Sequence, residues 1–454
     1  MGSISGLESV VIAASLLTFS VGSYFVWPSR WNIPAHLALG FSFAAYLIPI
    51  FVLDVLGSYP AYLVRFYAKV VSLGAVTYLA GLLLGSKIRL ERIIPVRFGF
   101  DSLSHDIYAR LVSRRTLLLL GLGLAAMAAC FVWMGFLPMF ADDPLAAKFF
   151  RGPYRWQSKT LAAAYRFSYY MVATLIPVAF AAWYVTRRKS HLLAALMGVA
   201  AMALALTRGP VVGGFLLFLG LVAAPKRYGF RAYLIFVLLI YPFGAASYFL
   251  LGRVFDVYGL FGYYKTDTLW DIIASGSPDV AEHLNFLGSF LSYGDFTHGR
   301  TFWGGLIPGN YSWNPAVWTL TLNAGGLNRA DVTEVISGGL RLPVAIWGYT
   351  AFGWLGSAGV SFLSGCIWGI GATFTKRRVE RGHLVLSIVM LTLYQTSWAQ
   401  LASFYVLSIY SIPSILVALA LAYSGRLTHR TESARAADSA GVPDGREHLL
   451  TRGT

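Results

Sequence analysis

Charge is scarce in this 454-residue chain. Asp, Glu, Lys and Arg together make up 12% of it, about half of what a soluble globular domain carries. That scarcity excludes a soluble domain, a disordered chain and a charged coiled coil. Cysteine is nearly absent as well. Cys130 and Cys366 both fall in apolar runs, which excludes a disulfide scaffold and a cysteine metal site. No Walker loop, HExxH, CxxC pair, GxSxG or dinucleotide fingerprint stands in a usable context. Apolar length is what the sequence has instead. Apolar residues make up 57% of it and its mean hydropathy is +0.62. Runs of about twenty such residues, long enough to cross a bilayer core of ~30 Å, recur from end to end.

The chain therefore reads as an all-α polytopic membrane protein. About eleven spans are predicted, at 7–26, 33–55, 62–85, 116–138, 161–185, 192–207, 211–224, 232–251, 350–374, 384–398 and 402–423. The runs are too long for strands and show no alternation. The leader MGSISGLES lacks a basic region, and no small-x-small site follows before Trp27, so the first span is expected to stay uncleaved.

Basic residues orient the spans. One set of loops holds Arg30, the 86–115 connection, Arg187-Arg188-Lys189, Lys226-Arg227-Arg231, Lys376-Arg377-Arg378-Arg381 and the tail. It carries 23 Lys and Arg against 8 Asp and Glu, whereas the opposite side carries 13 against 12. The positive-inside rule makes the first side cytoplasmic, with the N-terminus outside and the C-terminus inside. The net charge of +16 is thus topological, and no nucleic-acid partner is expected. The organisation predicted is eight spans over 1–251 with a basic cytoplasmic loop at 86–115, a large external cap at 252–349, three spans over 350–423 and a disordered cytoplasmic tail at 424–454.

Candidate chemistry lies on the outward side. Thr207-Arg208-Gly209-Pro210 separates apolar runs of about sixteen and fourteen residues, which reach only about 21–24 Å. The turn is then expected below the outer surface, where Arg208 and the first N–H groups of the next helix suit an anion such as phosphate. The other reading is an arginine snorkelling from an ordinary helix hairpin. Arg166, and Arg65 with Lys69 four residues on, stand near the outer ends of their spans. Together they predict a cationic outer cavity, and Asp54 is expected to pair with Arg65. In the long loop Asp295, His298 and Arg300 offer a carboxylate, an imidazole and a guanidinium within six residues. Such a trio suits proton removal from a hydroxyl and stabilisation of a departing phosphate, or else satisfies loop backbone atoms. Trp303, Tyr311, Trp313 and Trp318 suit either stacking on sugar faces or anchoring at the headgroups. The only outward histidines, His283 and His298, give no metal-ligand spacing, so a metal-free mechanism is expected. No charge occurs between Arg341 and Lys376, a stretch of 34 residues. Its first part is expected to lie in the outer interface before the chain turns inward, with its glycines serving helix packing.

These segments resemble the O-antigen polymerase (Wzy) family, the oligosaccharide repeat-unit polymerases. TRGP at 207–210 is similar to that family's Ser/Thr-Arg-Gly hairpin. THGRTFWGGLIPGNY at 297–311 is similar to its Gly/Arg-Thr-Phe-x-x-x-Leu-x-x-x-Pro stretch, and GGLRLPVAIWGYTAFGWLG at 338–356 to its entry into a span. The Arg-x10-Gly spacing of some members is missed by one residue at Arg329–Gly339 and at Arg341–Gly353. The resemblance implies a GT-C-like helical bundle in the bacterial cytoplasmic membrane. It would join oligosaccharide repeat units carried on undecaprenyl diphosphate, without a cofactor, and would work beside a flippase and a chain-length regulator. It implies Arg208, helped by Arg166 or Arg300, against the diphosphate and His298 or Asp295 as proton acceptor. Arg65, Lys69, Arg341, Trp303 and Tyr311 are the further expected substrate contacts. A lipid-linked glycan ligase or single-addition glycosyltransferase, a flippase or solute transporter, and last a non-catalytic structural subunit are the competing readings.

Overall fold

The computed structural model describes residues 6–90, 104–148, 150, 152–207, 209–254, 270, 279–307, 310–323, 340–380, 383–404, 407–409 and 411–423. Among the described residues every regular element is helical. Seven helices are long and apolar enough to cross a membrane: α1 (Gly6–Phe25), α2 (Ile33–Phe51), α3 (Ala61–Lys87), α4 (His105–Met134), α5 (Lys159–Thr186), α12 (Val344–Val379) and α13 (Leu384–Ala402). Shorter apolar helices are α6 (Lys189–Leu204), α7 (Gly209–Ala223) and α14 (Ile412–Ala422). Further helices are α8 (Arg227–Val254), α9 (Asp279–Tyr293), α10 (Arg300–Gly304) and α11 (Pro315–Asn323), with single turns such as Pro144–Lys148 between elements. The chain is a multi-pass membrane protein.

Local sequence sets the ends of these helices. Asn32 accepts a hydrogen bond from the Ala35 N–H at 3.4 Å, and a proline follows in the first turn of α2. Ser158 does the same for Leu161 at 3.0 Å and starts α5. Gly135, at φ 75°, ends α4 in the left-handed conformation that favours glycine. Two spans contain a widened turn, Phe43–Leu47 in α2 and Tyr394–Trp398 in α13, a feature that hydropathy does not register.

Two boundaries differ from the sequence expectation. The fourth span begins at His105, not near 116, because Tyr108 and Val112 are buried and Arg115 donates to the Ala420 carbonyl oxygen at 3.4 Å. The last two are Leu384–Ala402 and Ile412–Ala422. The turn between them carries Ser408 and Ser411, whose hydroxyl and backbone close on each other.

The helices share one polarity frame. α1 and α3 run in the same direction, since Glu8 pairs with Arg65 and Phe19 meets Tyr78. Trp27, beyond the far end of α1, donates to Glu380 beyond the far end of α12. Lys87, Arg187, Arg188, Lys189, Lys226, Arg227, Lys376, Arg377 and Arg378 all stand at that end, called here the Lys87 end. Arg65, Lys69 and Arg166 stand toward the opposite, Ala61 end, whereas Arg341, just before Ala345, stands nearer the middle, over Phe41. Packing divides into two apolar cores. One joins α4 to α8, α13 and α14 around Val172, Ile176, Leu217 and Ile388. The other joins α1, α3, α9 and α12 around Tyr67, Val71, Leu287 and Trp347.

In the second core α3 and α12 lie parallel and nearly touch. Ser357 donates to the Val70 carbonyl oxygen at 3.1 Å, and Thr373 to that of Ser86 at 3.2 Å. Both pairs have the same sequence offset, so the register is constant along the pair. Added methyls at Gly81 and Gly85 would overlap backbone oxygens of Phe362 and Cys366, and at Gly365 and Gly369 those of Tyr78 and Leu82. Each helix thus contributes a Gly-x-x-x-Gly pair to a mutual backbone contact, which membrane helices use where burial of apolar surface gives no driving force.

Candidate functional site

The site is organised by a break in α12. Phe352 (φ −143°, ψ 24°) and Gly353 (φ 64°, ψ −146°) are non-helical, and the second conformation belongs essentially to glycine. The arm before the break, Val344–Ala351, is buried at every residue. Ala345 lies against Gly74, thirteen residues and about 20 Å along α3. Ser361, on the arm after the break, meets the same glycine, and Gly348 packs on Gly356. Near the break itself, Tyr349 and Trp354 both contact Phe66, their ring centroids 5.2 and 5.4 Å from its own. The first arm therefore starts beside the middle of α3 and climbs to the break, and the second arm returns down alongside it. This corrects the expectation that the segment lies in the interface, and it replaces a span over 350–374 with a re-entrant arm plus a longer helix. The physical reason is small residues: Gly348 and Gly356 let two backbones share one slot.

A helix that stops inside the protein leaves carbonyl groups to satisfy. The Thr297 N–H donates to the Thr350 oxygen at 2.9 Å and the His298 N–H to that of Ala351 at 3.1 Å. His298 (φ 47°) and Gly299 (φ 78°) are consecutive left-handed residues, and Gly299 rests against the Phe352 ring. The Thr-His-Gly-Arg segment is thus the cap of the broken helix. Its side chains remain available: Asp295, His298 and Arg300 are exposed, and among the described residues Asp295 and the His298 ring make no hydrogen bond or ion pair. Arg300 lies over the Trp313 ring, 5.0 Å from its centroid. Trp303 is exposed next to it, and the Ile409 N–H donates to the Gly305 oxygen at 3.0 Å, closing the turn after α13 onto the same junction. Tyr311 opens a short turn at Tyr311–Trp313, and its side chain lies outside the described residues.

Arg341, just before the first arm, meets α9. Its Nε lies 2.8 Å from Asp279 Oδ1 as a charge contact, and Nη2 donates to Oδ2 at 3.0 Å. Asp279 has no exposed side-chain surface, whereas Arg341 is 57% exposed and covers it. The His283 ring bridges α3 to the same arginine. Nε2 donates to the Arg341 carbonyl oxygen at 3.0 Å, so Nδ1 is left to accept from the Tyr67 hydroxyl at 2.8 Å. That assignment requires neutral imidazole, and burial indeed holds His283 down to about 4. Burial, with Asp279 adding repulsion, pushes Glu282 up to about 7, and burial raises Asp279 against the pull of Arg341.

The remaining candidates stand apart from these. Arg65 Nε pairs with Glu8 Oε1 at 3.0 Å, which corrects the expected Asp54 partner. Parallel α1 brings its first-turn glutamate alongside, while Asp54 adopts φ 46° and heads the Val55–Ser58 turn. Lys69 is exposed on the same outer face of α3. Arg166, on α5, lies 5.8 Å from the Trp156 ring centroid. One turn further on, Tyr169 lies beside Thr207, whose hydroxyl donates to the Met202 carbonyl oxygen at 2.9 Å. The Thr207 turn therefore lies beside the part of α5 that is about 15 Å along from Lys159. Arg208 itself lies outside the described residues.

Asp279, Glu282, His283 and Tyr67 were not assigned together from sequence. The available signal was Asp-Val-Ala-Glu-His at 279–283, which sets Asp279 and His283 four apart on one face of a helix. No family model, no curated protein and no solved structure matches the chain.

Proposed function

We propose that this chain polymerises undecaprenyl-diphosphate-linked oligosaccharide repeat units into a surface polysaccharide. The reading has the reaction occur at the outer face of the bacterial cytoplasmic membrane. The observation that carries it is the docking of Thr297 and His298 on Thr350 and Ala351. Two segments that resemble polymerase motifs, some fifty residues apart in sequence, thereby form one unit with Asp295, His298 and Arg300 exposed around it. In this reading α8 and the shorter helices α6, α7 and α14 cross as well, giving eleven crossings with the seven long helices. The arginine-rich Lys87 end is cytoplasmic, and the break in α12 faces outward.

The chemistry follows from an activated donor. The bond between the donor sugar's anomeric carbon and its phosphate oxygen breaks, and a bond from that carbon to an acceptor hydroxyl oxygen forms. The hydroxyl proton passes to His298 or Asp295, and undecaprenyl diphosphate leaves with the bonding electrons. Cations offset its charge: Arg300 in the loop, Arg341 beside the re-entrant arm, Arg208 of the Thr207 turn and Arg166 on α5. Because the substrate brings its own leaving group, no nucleotide is required at an outer face.

A transporter is the second reading, and the broken α12 favours it, because discontinuous helices are where transporters place substrates. Purified protein in lipid nanodiscs, given a lipid-diphosphate-linked repeat unit, separates the two. Polymer plus released carrier diphosphate supports the polymerase. Movement of the unit across a vesicle membrane without new bonds supports the transporter.

A further inference from the structure

We propose that Asp279, His283 and Tyr67 are positioning residues for Arg341, holding its guanidinium and its backbone at once; this rests on the reading of Arg341 as a substrate contact. The side chain is fixed by Asp279 across Nε and Nη2. The backbone is fixed by the His283 Nε2–H on the Arg341 oxygen, and the ring is itself held by the Tyr67 hydroxyl. Tyr67 and His283 are fully buried, and Tyr67 belongs to α3, the helix against which the re-entrant arm is packed. The chain of contacts therefore runs from a rigid span to one arginine.

Side-on pairing has a chemical consequence. A guanidinium presents five N–H groups in a plane; here one on Nη2 donates to Asp279 Oδ2, and Nε lies against Oδ1 as a charge contact. Both Nη1 protons and one on Nη2 are left uncommitted among the described residues. Its Cζ also lies over the Phe41 ring on α2, 5.3 Å from the centroid, a second contact on the same group. An arginine held in this way presents one edge to an incoming phosphate without first having to order itself. Lysine in its place would keep the charge and lose the fork. The His283 ring has both nitrogens occupied and no exposed surface, so it serves here by holding and not by exchanging protons with substrate.

The test is a mutant cycle on purified protein in nanodiscs with a lipid-diphosphate-linked repeat unit, reading kcat and KM separately. Asp279→Asn, Tyr67→Phe and Arg341→Lys are each expected to lower kcat roughly tenfold or more. Adding Asp279→Asn or Tyr67→Phe to Arg341→Lys is expected to cost nothing further, because the residues act as one unit. Tyr67→Phe removes a single oxygen and keeps the test valid should Asp279→Asn not fold. If Arg341→Lys is impaired while Asp279→Asn and Tyr67→Phe turn over like the wild type, or if the losses simply add, the positioning proposal is overturned and the substrate reading stands. If Arg341→Lys elongates normally, the substrate reading of Arg341 falls and the positioning proposal with it. Should the wild type elongate nothing, hydrogen exchange over 340–346 decides. Faster exchange in Tyr67→Phe supports the holding role, and unchanged exchange overturns it.

Discussion

Arg341 lies side-on across Asp279 and is the lid on a carboxylate that has no exposed surface of its own. The two partners are therefore unequal. Removing Arg341 strands a buried charge, which costs about 3–5 kcal/mol when nothing replaces the partner. Removing the charge of Asp279 leaves a half-exposed arginine that water can reach, and that costs about 1 kcal/mol or less. Thermal unfolding in detergent at pH 8 is expected to place Arg341→Ala well below Asp279→Asn. Equal losses would mean that the carboxylate is not sealed.

The same helix carries a pH signature. Glu282 is raised from 4.5 to about 7, so between those values the folded protein holds a proton that the unfolded chain has released, and its contribution to stability falls as pH rises through that window. His283 is lowered from 6.5 to about 4, so its contribution rises with pH from about 4 and is complete above 6.5. Glu282→Gln cancels the first effect alone. Its stability relative to wild type is expected to rise from pH 5 to pH 7.5 in paired melting curves. A constant difference across that range would contradict the assignment.

Glycine in the α3–α12 contact is expected to tolerate no side chain. Gly81→Ala or Gly365→Ala drives a methyl into a facing carbonyl oxygen, with a cost of about 1–3 kcal/mol for overpacking. Gly359, on the same helix, faces open space, and Gly359→Ala is expected to be neutral or to gain up to about 1 kcal/mol of helix propensity. Yield of folded protein by size-exclusion chromatography separates the two classes.

Gly353 is a separate case, because backbone conformation and not space is limiting. With φ 64° and ψ −146°, a Cβ costs about 1–3 kcal/mol. Gly353→Ala is expected to disturb the break and the Thr297–Thr350 and His298–Ala351 bonds that depend on it. Elongation should fall more steeply than the melting temperature. Full activity in this variant would separate the break from the chemistry.

Orientation is testable without any substrate. A reporter active only in the periplasm is expected to be active when fused at about residue 300 and silent at about residue 380. The opposite pattern would overturn the placement of the break on the outer face.

Much of the fold was legible because transmembrane length and charge asymmetry are strong, local signals. The two short helices flanking Thr207 were legible as well, Lys189–Leu204 and Gly209–Ala223. The re-entrant arm was not legible. The uncharged run from Leu342 to Thr375 is longer than one span, which points to an interfacial segment before a helix, and nothing local marks Gly353 as different from Gly348 or Gly356. What distinguishes it is the contact of Gly348 with Gly356 and the cap supplied by Thr297 and His298. The partner of Arg65 was missed for a similar reason. Glu8 is far away in sequence and near only because α1 and α3 run parallel. The pair of Asp279 and Arg341 likewise depends on how the helix Asp279–Tyr293 seats against α3.

Elongation of a lipid-linked glycan is tested most directly by the profile of lipid-linked and surface glycans in cells lacking the protein. Long polymer is expected to be lost with single repeat units remaining, restored by the wild-type chain but not by Arg208→Ala. Full-length polymer retained on its lipid carrier, or units held at the cytoplasmic face, would contradict it.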